Sequence, residues 1–174
     1  MVIIIRESTP HDIPAITAIY GHAVLHGRGS FEVDPPDEVE MGRRRATIVD
    51  AGYPYLVAER AGIVVGYTYA GVYRPRPAYR FTVENSVYVA PNQQGAGVGR
   101  ALLPALLARC EADGYRLMVA VIGDSANVAS IKLHASFGFT HAGVLPAVGW
   151  KHGVWLDSVF MTRALGDGAT TAAG

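Results

Sequence analysis

Between residues 93 and 100 the chain reads QQGAGVGR, three glycines at alternate positions closed by an arginine. A loop so poor in side chains exposes backbone N–H groups, and a helix starting at once, over ALLPALLARCEADG, adds its dipole; together they form an anion site. Arg100 adds a positive charge beside it. Two nucleotide-binding motifs are excluded by their own letters: a dinucleotide fingerprint begun at Gly95 needs Gly or Ala at position 100, and a Walker A loop needs Gly-Lys-Ser/Thr. A glycine-rich turn without a ligand is the competing reading.

Four other groups carry chemistry. Glu84 interrupts a strand of Val, Thr and Tyr, where an unpartnered carboxylate is costly to bury; it must face a wet cleft or hold a raised pKa, and either suits a general base. His134 lies in an apolar helix, the ordinary setting of a satisfied core histidine and also of a proton carrier near neutral pH. Arg74, Arg76 and Arg80 gather just before Glu84 and could fork onto a carboxylate, or simply be solvated loop residues. His22 and His26 have the i, i+4 spacing of a metal pair, but no third ligand or H-E-x-x-H pattern accompanies them, so no metal is expected.

These residues need elements to position them. Residues 2 to 6 suit a first strand, and apolar residues at 13, 16, 20 and 24 make a helical stripe, with Asp12 as its cap. A polar helix ends near Gly52, followed by strand-like YLVAE, GIVVGYTYAGVY after a turn at Ala61-Gly62, and FTVENSVYVA. A helix over residues 98 to 112 follows the glycine loop; Pro104 should kink it or shift its start. RLMVAVIG reads as a buried strand, SANVASIKLHASFG as a helix stopped by Gly138, and strands at about 139 to 148 and 152 to 162 close the chain. The pattern predicts an α/β sheet covered by helices.

The chain has 174 residues, enough for one domain, set at 1–165 with an unordered small-residue tail at 166–174. Fifteen basic residues balance fifteen acidic ones, so no overall field favours nucleic acid or an anionic membrane. Residues 133 to 150 lack any Asp, Glu, Lys or Arg, yet two histidines, three glycines and a proline argue against a membrane span. The one cysteine, Cys110, shares a helix face with Leu103, Leu106 and Leu107 and reads as inert packing in a reducing, cytoplasmic protein.

VYVAP, then QQGAGVGRALL, then NVASIKLHASFGF about thirty residues on resemble the GNAT superfamily of acetyl-CoA-dependent N-acetyltransferases. YRFTVENSVYV, VAVIG, GWKHGVWLD and the early SFE resemble, more narrowly, its phosphinothricin and methionine sulfoximine acetyltransferase branch, over roughly residues 3 to 163. The resemblance implies a GNAT fold with a mixed, mostly antiparallel central sheet flanked by helices. It also implies that Gln94, Gly95, Gly97, Gly99 and Arg100 cradle the pyrophosphate of coenzyme A, that Val87 and Val89 present backbone to its pantetheine arm, and that Asn127 lies near that arm, although an Asn there is also a common helix cap. Glu84 becomes the base that deprotonates an amine. His134, standing where many superfamily members have Tyr, becomes the donor to the leaving thiolate. Phe31, Arg74, Arg80, Lys151 and His152 match blocks that line the acceptor pocket. The implied reaction is direct acetyl transfer to the α-amine of a small amino acid analogue, in a homodimer. A polyamine or protein N-terminal acceptor, or a coenzyme-binding regulator without activity, are the alternatives.

Overall fold

The computed structural model describes residues 2–173. Seven strands form one sheet: β1 (Ile4–Glu7), β2 (Tyr55–Arg60), β3 (Ile63–Val72), β4 (Thr82–Val89), β5 (Leu117–Gly123), β6 (Thr140–Lys151) and β7 (Val154–Ala164). Their order is β1-β2-β3-β4-β5-β7-β6, and every neighbouring pair is antiparallel except β4 with β5. The sheet is therefore mixed and mostly antiparallel, as the family resemblance implies. Ala61 and Gly62 both take positive φ, at 51° and 78°, the backbone that a two-residue hairpin between twisted strands requires.

Helices cover both faces. On one side α1 (Ile13–His26) and α2 (Glu38–Asp50) bury Ile13, Ile16, Tyr20, Val24 and Met41 against Tyr55, Val57 and Tyr67. On the other, α3 (Val98–Ala112) sets Leu103, Leu106, Leu107 and Cys110 against Leu56, Ala70, Val83 and Met118. The shorter α4 (Val128–Ser136) packs between α3 and β5. The apolar stripes of α1 and α3 are those read from the spacing. α3 begins at Val98 and runs unbroken through Pro104, so the proline does not shift the start of the helix.

Two expectations give way to local competition for hydrogen bonds. Asp12 stands at the cap position of α1, but its carboxylate is taken by a forked pair with Arg6, both distances 2.8 Å, and by the Thr9 N–H at 2.7 Å. A fork between two opposite charges outweighs a single cap bond from the carboxylate to an uncharged N–H. Of the tail expected to be unordered, 166–174, residues 166–169 form turns, and Arg116 pairs with Asp167 and donates to Thr171 Oγ1 and the Ala172 carbonyl. Among the described residues no helix is long and apolar enough to cross a membrane.

Candidate functional site

β4 and β5 are hydrogen-bonded only from Thr82 to Asn85 and Leu117 to Ala120. Beyond those pairs both strands continue and part, leaving a cleft of about 890 Å³ between the end of α1, the glycine loop and α4. Val87, Val89, Gln94, Gly95, Gly97, Gly99, Arg100, Asn127 and His134 all line it. The residues expected at a coenzyme site are thus brought together from β4, the loop, α3 and α4.

Gly97 is the N-cap of α3 at φ 84°, a left-handed conformation that only glycine adopts without strain, and no side chain caps the helix. The first N–H groups of α3 are therefore free to meet an anion. Arg60, at the end of β2, brackets the loop from outside: Nη1 donates to Gln93 Oε1 at 2.7 Å and Nη2 to the Ala96 carbonyl at 3.1 Å. Nothing in the spacing pointed to Arg60, which lies 33 residues before Gln93. Asn127 plays the helix-cap part as well as lining the cleft, since its Oδ1 accepts from the Ser130 N–H.

On β4 the side chains of Thr82, Glu84 and Ser86 share one face by the two-residue period. Ser86 borders the main cleft, and Thr82 borders a second cavity of about 400 Å³ lined also by Tyr73, Tyr79, Val119 and Phe160. Glu84 lies between these two residues along the strand, is itself in the lining of neither cavity, and its side chain has no hydrogen-bond partner among the described residues. Burial pushes its carboxyl above the usual range, against a smaller opposing pull from Arg74. Asn85 faces the other way, onto the ring of His134 in α4 at 2.9 Å. His134 Nδ1 meets the Ser130 carbonyl at 2.8 Å, so both ring nitrogens are occupied inside the protein. That arrangement speaks against His134 as the donor to a leaving thiolate, because a ring bonded in this way keeps no free N–H. Cys110 is buried, its thiol pushed up to about 12 by burial, which makes it a poor nucleophile at neutral pH.

The other acceptor-side residues have separate fates. Arg74 lies over the Tyr73 ring at 5.1 Å and reaches Glu84 electrostatically. Arg80 stacks on Phe81 at 4.4 Å, exposed on its loop. Phe31 is wedged where a Cβ on Gly123 or Gly149 would come within 2.9 or 2.7 Å of its ring. Lys151 is buried and spends its ammonium on the Ser30 carbonyl at 2.7 Å, so it fastens the loop after α1 to the end of β6 and does not line the cleft. His152 occupies the β6–β7 turn at φ 51°, exposed and away from both cavities. His22 and His26 do line the cleft, but no group of three or more metal-ligating side chains occurs among the described residues.

The acetyltransferase (GNAT) family profile matches residues 18–139. The phosphinothricin N-acetyltransferase of Alcaligenes faecalis is 56% identical over 96% of this chain and 85% of its own length. An L-methionine sulfoximine/L-methionine sulfone acetyltransferase of Salmonella typhimurium is 44% identical over 95% of this chain and 96% of its own. Among solved structures, the phosphinothricin acetyltransferase of Sinorhizobium meliloti in complex with acetyl-CoA superposes with a TM-score of 0.96 at 46% identity, covering 100% of this chain and 94% of that one.

Proposed function

The chain belongs to the GNAT acetyltransferase family, and from that premise we propose that it acetylates the α-amine of a small amino acid analogue of the phosphinothricin or methionine sulfoximine type. Acetyl-CoA is the cosubstrate. Its diphosphate fits the uncapped start of α3 beside Arg100, and its arm fits the gap between β4 and β5, along Val87 and Val89. Glu84 takes the proton that an α-ammonium must lose before its nitrogen can attack the thioester. Then the N–C bond forms, the C–S bond breaks, and the sulfur gains the proton that the nitrogen gives up.

The position of Glu84 supports this reading: an unpartnered, half-buried carboxylate on β4 between Ser86, which borders a cleft sized for a coenzyme arm, and Thr82, which borders a smaller cavity edged by the Arg74 loop. Arg74, close enough to affect Glu84, is the cation placed to read an acceptor carboxylate, and a polyamine would be repelled by it. Phe31 and Lys151 act by holding the loop after α1. Thiol release from acetyl-CoA over phosphinothricin, methionine sulfoximine, ordinary amino acids, spermidine and a peptide amine tests the proposal. Turnover is expected with the first two; preference for spermidine or the peptide would overturn the acceptor assignment.

We further infer a homodimer. Val144, Leu145, Val148, Trp150 and Trp155 lie exposed together on the β6–β7 hairpin, a concentration of apolar surface that a second copy would cover. The single buried cysteine suits a reducing compartment, which supports a cytoplasmic location.

A further inference from the structure

His134 and Asn85 meet inside the molecule although 49 residues separate them. Both are more than nine-tenths buried, with 4% and 6% of their surface exposed. His134 Nδ1 lies 2.8 Å from the carbonyl oxygen of Ser130, one turn back along α4. A carbonyl oxygen only accepts, so Nδ1 carries a proton. In an uncharged imidazole Nε2 is then a bare acceptor, and Asn85 Nδ2, 2.9 Å away, supplies its donor.

The opposite orientation of the carboxamide is self-defeating. It would set Oδ1 against the Nε2 lone pair, acceptor facing acceptor, unless the ring were an imidazolium. Burial away from water works against that cation and lowers the basicity of the ring. The His134 ring also packs perpendicular to Phe139, centroids 5.0 Å apart at 90°. Ionisable side chains on the surrounding elements are Glu84 and Tyr88 on β4, Arg100, Arg109, Cys110 and Glu111 on α3, and Lys132 on α4 itself, while His22, His26, Arg28 and Asp124 line the cleft; β5 carries none. None of them hydrogen-bonds the ring. Asn85 Oδ1, meanwhile, has no partner among the described residues. An aliphatic side chain of similar size would avoid burying that idle oxygen, and what the amide offers in exchange is a donor for Nε2.

We propose that Asn85 is a positioning residue for His134, holding the imidazole in the cleft wall as the neutral Nδ1–H tautomer with its Nε2 lone pair engaged. The consequence, which rests on the acetyltransferase reading, is that the proton gained by the leaving thiolate does not come from Nε2 of this ring. His134 serves the reaction as an uncharged, fixed part of the wall, and the proton reaches sulfur from the acceptor nitrogen by way of solvent.

Long-range ¹H–¹⁵N spectra of ¹⁵N-histidine-labelled protein near neutral pH test the assignment, with His134→Phe identifying its signals among the six histidines. The wild-type ring is expected to show a protonated, pyrrole-type Nδ1 and an unprotonated, pyridine-type Nε2. In Asn85→Asp the carboxylate can only accept, so both nitrogens should become protonated at a pH where the wild-type ring is neutral. A wild-type ring protonated at Nε2 overturns the proposal, and so does a folded Asn85→Asp protein whose ring stays neutral. The wild-type spectrum decides the tautomer even if the variant does not fold. No substrate is present, so the result is independent of whether the chain acetylates any amine.

Discussion

Glu84, proposed as the base, shows what a half-buried carboxylate without a partner costs its fold. Its folded-state pKa is raised, chiefly by burial, so the native protein holds this proton more tightly than the unfolded chain does. Stability from this group is therefore highest below the ordinary carboxylate pKa and falls as pH rises from about 4.5 through the raised value. Glu84→Gln, which cannot ionise, is expected to raise the melting temperature near neutral pH and to change it little or not at all near pH 4. Calorimetry at the two pH values checks it; an equal change at both would mean that the charge is not what the fold resists. The chemical promise of Glu84 was legible in the sequence, because a carboxylate amid Val, Thr and Tyr is conspicuous. The Asn85–His134 contact was not, since no spacing rule joins residues on different elements.

At the scale of elements, the glycine loop and α3 were legible as a unit because alternate glycines before an apolar helix leave few other conformations. What holds the loop was not legible, for Arg60 arrives from the far end of β2. Its two bonds fix the outer edge of the loop and so preset the N–H groups that face the cleft. Arg60→Met is expected to weaken acetyl-CoA binding on the order of 10-fold, with kcat at saturating coenzyme and acceptor KM little changed and partial recovery in Arg60→Lys. Titration calorimetry and steady-state kinetics read this split. Unchanged coenzyme affinity in the Met variant would show that the loop holds its shape without the bracket. A similar handover placed Lys151, read by resemblance as an acceptor contact, on the Ser30 carbonyl: its ammonium, once buried, had to find an acceptor nearby.

Across the whole molecule, alternating strands and helices foretold an α/β sheet, and the family resemblance its mixed direction. The insertion of β7 between β5 and β6 is a tertiary choice: it leaves β6 at the edge, with its apolar residues facing outward. Trp155, 65% exposed on the neighbouring strand, is the more exposed of the two tryptophans of that patch. Trp155→Glu is expected to turn a dimer into a monomer in sedimentation equilibrium while leaving the fold intact, because a charge placed in an apolar interface loses its hydration without gaining a partner. A wild-type protein that sediments as a monomer would remove the dimer from the account.

The pH dependence of kcat/KM for wild type and Glu84→Gln with phosphinothricin tests most directly whether Glu84 is the base for an amino acid amine. Near neutral pH the variant is expected to be slower by about 100-fold, and the gap should close toward high pH, where the amine loses its proton unaided. Equal activity of the two proteins from about pH 6 to about pH 9 would contradict the assignment.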